Sequence, residues 1–262
     1  MDLNNIDELI MHLLGDHLEQ VFNADELMNL SNEKYALVRN AGFGASDSSK
    51  LLGINKWTTK EELLKEKTSL KPLDDSISFK ASVRKGKDLE PWIISRIATF
   101  LNTIVGKPQW MYMYKGTKLS VNFDGVTNLS IFKTFKDSFD LIPIEIKVAT
   151  EYGRKYYDFS KAVSQDVTNE HWRLNTDDLL QKITLGIDKC GFPDYYYTQL
   201  QQQMMFLESP VGILGVLDDK EWTIRLFCVA RDGEIQRAIQ EAEKENRWVI
   251  RPIEEIKRRL LD

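Results

Sequence analysis

The chain has 262 residues, 42% of them hydrophobic and 10% aromatic, which suits one large domain or one domain with a helical appendage and argues against disorder. A net charge of −5 argues against a general nucleic-acid coat protein but allows a nuclease, whose clustered carboxylates make the sum negative while local basic patches meet phosphate. No apolar run is long enough to cross a bilayer and the acidic start MDLNNIDELI lacks a signal peptide's basic residues, so a cytoplasmic location is expected.

Ile6, Leu9, Ile10, Leu13, Leu14, Leu18 and Val21 fall at helical spacing and predict an amphipathic helix over 5–21. We read 1–34 as a helical appendage and 35–262 as the main domain. From Arg39 a glycine-containing loop runs to Ser46-Asp47, a good N-cap for a short helix that Gly53 stops near Leu52. Thr59 and Glu62 form a capping box for a helix through Leu64. A long helix follows Phe79, with Val83, Leu89, Ile93, Ile94, Ile97 and Leu101 on its buried stripe; Pro91 makes it either begin near Asp88 or kink. Strands are predicted over 109–115, 118–124 and 142–149. Residues 150–192 read poorly, with a helix expected around 177–187. A helix from Asp194, strands over 211–218 and 221–229, and a charged C-terminal helix complete the chain. This order predicts an α/β fold with a mixed sheet flanked by helices.

The chemistry centres on Asp124-Gly125 and, twenty-one residues after the aspartate, Glu145-Ile146-Lys147 inside the apolar run LIPIEIKVA. In a strand Glu145 and Lys147 point to one face while Ile144, Ile146 and Val148 bury the other. A second copy of the triplet, Glu255-Ile256-Lys257, lies in IEEIKRRLLD and reads as a solvated helix face. Asp124-Gly125 alone is also a hairpin-turn dipeptide. An acid and a lysine sharing the polar face of a buried strand, however, cost several kcal/mol, roughly, without a purpose. Phosphodiester hydrolysis needs an activated water and neutralised transition-state charge, which a hard cation on carboxylates supplies. Asp124 and Glu145 are the candidate Mg²⁺ ligands, with the backbone carbonyl of Ile146 a third and Mn²⁺ a substitute. Lys147 would hold or deprotonate the water, or stabilise transition-state charge. Glu90 could complete the metal site and Gln199 orient the water or the lysine. Lys80, Arg84, Lys85 and Lys87 form one candidate phosphate patch, and Arg154-Lys155 another. Two distant cysteines, Cys190 and Cys228, and only three histidines disfavour zinc chemistry.

Five blocks in order, GASDSSKLLGINKWTTKEELLKEKTSL, RKGKDLEP, VNFDGVTN, PIEIKVAT and YYYTQLQQQM, resemble the YqaJ-type viral recombinase nucleases, relatives of the phage lambda exonuclease in the PD-(D/E)xK superfamily. The resemblance spans most of 39–207 and implies a PD-(D/E)xK restriction-endonuclease-like core. Carried over, the family's metal-site acids fall on Glu90, Asp124 and Glu145, its lysine on Lys147 and its helix glutamine on Gln199. Tyr196 matches the accompanying tyrosine. Arg39 and Ser46 match positions that hold the 5′-phosphate of a DNA end. The family implies a 5′→3′ exonuclease on duplex DNA, often a ring-shaped trimer, working beside a single-strand annealing protein in DNA recombination. Phe123 stands where a proline often precedes the first aspartate, the interval from Lys147 to Tyr196 is long, and no four-cysteine set is present. The competing readings are a restriction- or defence-type endonuclease on the same core and a non-catalytic DNA-binding assembly protein.

Overall fold

The computed structural model describes residues 5–24, 30–69, 81–128, 140–164, 166–168 and 181–261. Helix α1 (Ile6–Leu14) is capped by the Asn5 side chain, and Gly15 follows its last turn. The predicted 5–21 helix ends there. Leu18–Asn23 forms strand β1, which pairs antiparallel with β3 (Trp110–Tyr114). Leu18 and Val21 fit helical spacing, but cross-strand pairing overrides it. A bulge between Gln20 and Phe22 lets the adjacent Val21 and Phe22 both be buried. The apolar side of α1 enters one core cluster with Phe43, Tyr112 and Phe206.

Helix α2 (Asn32–Arg39) leads to the two-residue strand β2 (Phe43–Gly44), a 3₁₀ turn (Ala45–Asp47) and the short helix α3 (Ser48–Leu51). Asp47 does not cap α3. Its carboxylate accepts from Gly44 N at 3.2 Å and pairs with Lys67 at 2.7 Å and Lys50 at 3.2 Å. The predicted capping box is present at the start of α4 (Lys60–Thr68), where Thr59 N donates to Glu62 Oε2 at 2.8 Å and Glu62 N to Thr59 Oγ1 at 3.2 Å. Helix α5 (Ala81–Leu101) carries Pro91 inside it, so it begins well before Asp88. Pro91 lies on the exposed side and cannot donate to the Lys87 carbonyl.

Strands β1, β3, β4 (Leu119–Val121) and β2 form one four-stranded sheet. The second contains β5 (Gly125–Asn128), β6 (Leu141–Ala149), β7 (Val211–Asp218) and β8 (Thr223–Ala230), in that order. The single central sheet expected from the element order is thus two sheets among the described residues. The predicted 118–124 strand is shorter, and β5 was hidden behind the Asp124-Gly125 turn signal. In the second sheet β6 and β7 are parallel while both outer pairs are antiparallel. Of the helix expected over 177–187, Gln181 is helical, 182–186 are not, and Ile187 opens a 3₁₀ turn; Thr184 bridges to Val229, and 177–180 lie outside the described residues.

Helix α6 (Asp194–Phe206) covers one face of this sheet and α5 the other. The strands alternate accordingly. Ile142, Ile144, Ile146 and Ile213 join Ile93 and Ile97 of α5, while Leu214 and Val216 join Leu200 and Met204 of α6. A Cβ at Gly212 would meet the Leu200 and Met204 side chains at 2.8 Å, so a missing side chain lets α6 settle onto β7. Helices α7 (Gly233–Asn246) and α8 (Ile253–Leu261) end the chain. Glu255 lies on α8, held by Arg251 and Arg259, so the second acid-Ile-Lys triplet is a helix face. No described helix is long and apolar enough to cross a membrane.

Candidate active site

Ile144 and Ile146 point toward α5, which sends Glu145 and Lys147 to the α6 face, as the period of two requires. Glu145 is only 1% exposed. Its carboxylate is held by three donors: Lys147 Nζ and, at 2.6 Å, Gln199 Nε2 on Oε1, and Gln203 Nε2, also at 2.6 Å, on Oε2. Asp124, immediately before β5, is half-buried and its Oδ2 accepts from Ile146 N at 2.9 Å. The backbone of the triplet therefore orients the upstream aspartate. Tyr196 lies beneath the lysine, its ring centroid 5.1 Å from Nζ.

A cleft of about 420 Å³ runs past the C-terminal end of β6, lined among others by Lys87, Glu90, Asp124, Ile146, Lys147 and Tyr196. Glu90 faces it from α5, paired with Lys107. Among the described residues no three acidic, histidine or cysteine side chains stand together as a ready-made metal cluster. Asp124 and Glu145 are near neighbours, whereas Glu90, on the same cleft, is paired with Lys107.

Electrostatics distinguish the two groups of the triplet. Burial pushes Glu145 up to about 7, and the negative charge of Asp124 adds to the push against the pull of Lys147 and Gln203. Burial alone would discharge Lys147, but Glu145 and then Asp124 outweigh it and hold the ammonium well above its usual range. Near neutral pH the lysine is a fixed cation, and the carboxyl is the group poised to gain or lose a proton.

Arg39 and Ser46 are both exposed, at the end of α2 and in the 3₁₀ turn. Lys67 donates to the Arg39 carbonyl at 2.7 Å. Burial opposes the ionised form of Asp47, yet Lys67, Lys50 and Arg39 together hold its carboxyl well below the usual range. The Arg39 guanidinium thus lies near the turn that carries Ser46. Gln202 ties this turn to the active-site helix, donating to the carbonyls of Phe43 at 3.0 Å and Ser120 at 2.9 Å while accepting from Ser48 Oγ at 2.7 Å.

The predicted basic patches are largely consumed locally. Lys80 lies outside the described residues, Lys85 pairs with Asp219, and Arg154 pairs with Asp218 at 2.8 Å and with Glu221; Lys87 remains on the cleft wall. Two residues escaped the sequence reading. Lys107 had no signal. Gln203 did, since it follows Gln199 by one helical turn on the same face. Replacing Gln203 with leucine removes a donor that favours the charged carboxyl, so Glu145 should titrate higher. The expected result is a shift of the acid limb of a pH–rate profile to higher pH, measured against wild type.

The profile of the YqaJ-like viral recombinase domain matches residues 34–208. The chain belongs to the YqaJ-like viral recombinase family. The match covers the turn carrying Ser46, β6 and all of α6, so the cleft is built from the YqaJ-like region. No curated protein matches the chain. Among solved structures it is similar to an alkaline exonuclease, LHK-Exo, from Laribacter hongkongensis, at 15% identity and a TM-score of 0.54, covering 87% of this chain and 97% of that one. It is also similar to LHK-Exo in complex with dAMP, at 17% identity and a TM-score of 0.52, with the same coverage. At these identities the likeness shows a shared fold of the PD-(D/E)xK type.

Proposed function

We propose that this protein is a magnesium-dependent DNA exonuclease that resects duplex ends in the 5′→3′ direction. The observation that carries the reading is a buried Glu145 and a charged Lys147 on one face of β6, with Asp124 held beside them at the wall of an open cleft. Family membership and fold neighbours named as alkaline exonucleases, one of them bound to dAMP, support it.

The donor set fits a hard divalent cation. Burial raises Glu145 and the nearby negative charge of Asp124 adds to the push, a crowding that a cation would relieve. Asp124, Glu145 and the Ile146 carbonyl would hold Mg²⁺ or Mn²⁺, with Glu90 joining on release from Lys107. Bound there, the metal would lower the pKa of a coordinated water and neutralise phosphate charge. The protein's own groups do the rest. Glu145 and Asp124 favour the protonated Lys147 in the metal-free protein, so the lysine is placed to offer positive charge toward the scissile phosphate. Gln199 and Gln203 hold Glu145 rigidly, and Gln199 presents its amide at the lysine–carboxylate pair. Arg39 and Ser46 meet the 5′-phosphate by charge-assisted hydrogen bonds, held at a set position from the cleft through Gln202. On the same reading the protein is a homo-oligomer, a trimeric ring in the family's manner, acting beside a single-strand annealing protein.

Digestion of end-labelled linear duplex against covalently closed circular duplex in magnesium tests this. The linear form should be shortened from its ends and the circle left intact. Cutting of the circle would reject end dependence in favour of an endonuclease. Linear duplex with 5′-phosphate should be degraded faster than duplex with 5′-hydroxyl; equal rates would remove the role given to Arg39 and Ser46.

A further inference from the structure

Beside the cleft lies a second, smaller recess of about 130 Å³, lined by Ile54, Lys56, Trp57, Tyr156, Pro193 and Tyr195, with Phe192 and Asp194 completing it. Tyr195 lines both recesses. Trp57 is 68% exposed, although tryptophan is among the most costly side chains to leave in water. Its ring meets Tyr156 edge-on, at 6.4 Å and 82°, so the two form the sides of an open notch. Lys155 Nζ lies 5.2 Å from the Tyr156 centroid and Lys56 is in the wall, against one acid, Asp194, where α6 begins.

The tryptophan is presented by a built loop. Asn55 Oδ1 accepts from Trp57 N at 2.9 Å and from Thr58 N at 3.0 Å, and Asn55 Nδ2 donates to Ser49 Oγ at 2.9 Å. Ser49 is buried in α3, whose first residue Ser48 is bonded to Gln202 of α6. Trp57 is therefore fixed relative to the helix that also carries Gln199. These bonds hold the backbone at Trp57, and the ring itself is placed by its edge contact with Tyr156.

We infer that the Trp57–Tyr156 notch is a stacking site for an unpaired nucleobase of the DNA strand whose backbone lies in the neighbouring cleft. It rests on the nuclease reading of that cleft. The chemistry favours this occupant over an apolar protein segment. Two aromatic faces with lysines beside them match a base joined to phosphate, and a base can stack whatever its sequence. The recess is far smaller than a drug-sized pocket and suits one ring system. Tyr195 lines both, so the recess adjoins the cleft across one side chain and lies within reach of a strand leaving it.

The test uses the full chain in EDTA, where cleavage is suppressed, and a short single-stranded oligodeoxynucleotide carrying one 2-aminopurine. Wild type should bind it and quench its fluorescence. Trp57→Ala should weaken binding by about 5- to 150-fold and abolish the quenching, Tyr156→Ala should act in the same direction, and Trp57→Phe should restore most of both. Because Trp57 lies largely outside the core, an unchanged melting temperature is expected and excludes misfolding. Binding within about twofold of wild type with quenching intact in Trp57→Ala would overturn the notch, as would a wild type that neither binds nor quenches. Cleavage of linear duplex in magnesium, measured in parallel, separates the claims: a failed notch with intact cleavage leaves the nuclease reading standing, whereas a wild type that cleaves no DNA overturns that reading whatever the fluorescence shows.

Discussion

Lys147→Ala should lower magnesium-supported DNA cleavage by about 10²–10³-fold in kcat while leaving DNA affinity nearly unchanged. The ammonium sits on Glu145, over the Tyr196 ring and at the cleft wall, so its loss removes positive charge where phosphate charge develops. Other contacts to DNA remain. Arginine should not rescue it, because a planar fork cannot meet the carboxylate, the ring and the cleft from one point as an ammonium does. Without the lysine, Glu145 keeps two amide donors and loses the cation that favours its charged form, so it takes up a proton more readily. That proton softens the stability loss expected from breaking a buried pair. Single-turnover rates and equilibrium binding on one duplex check the split; an unchanged cleavage rate would reject the assignment.

The second large effect concerns Asp124. Asp124→Asn should abolish cleavage and yet leave the metal-free protein as stable as wild type or more so at pH 8, by an amount on the order of 1 kcal/mol. The sign follows from Glu145, whose carboxyl is raised from 4.5 to about 7 by burial and by Asp124. A raised carboxyl contributes stability that is fully present below the unfolded value of 4.5 and is lost as pH rises through about 7. Removing the Asp124 charge lowers Glu145 and recovers part of that loss, while asparagine can still accept from Ile146 N. Magnesium should act on the same imbalance. It should raise the melting temperature of wild type more at pH 8 than at pH 5.5, because protons compete with the cation below about 7. Thermal melts of both proteins with and without magnesium check this. A magnesium gain in Asp124→Asn equal to wild type would place the metal elsewhere.

Much of the site was legible because a strand's period is rigid. Once LIPIEIKVA is a strand, Glu145 and Lys147 must share a face, and the alternation of Ile144 and Ile146 toward α5 shows that they do. The α4 capping box was readable for the same reason, being a local pattern with one geometry. What failed was local signal that long-range pairing overrode. Leu18 and Val21 kept helical spacing yet lie in β1, where Leu18 pairs with the far-off Tyr114 of β3 and Val21 falls at the bulge, and Asp124-Gly125 resembled a hairpin turn while opening β5. Asp47 had the makings of a cap and became a buried ion pair, because Lys67 arrives from a separate helix. The candidate phosphate patches could not be judged from sequence either, because only folding brings Asp219 to Lys85 and Asp218 to Arg154. Gln203 was visible in the helix period but carried no weight until Glu145 was seen beneath it.

A crystal of the full chain soaked in manganese and measured at the manganese absorption edge addresses the central claim most directly. An anomalous peak between the carboxylates of Asp124 and Glu145, with Glu90 turned away from Lys107 toward it, is the predicted result. A cleft without a peak at full soaking, or a peak bound by other residues, would contradict the account.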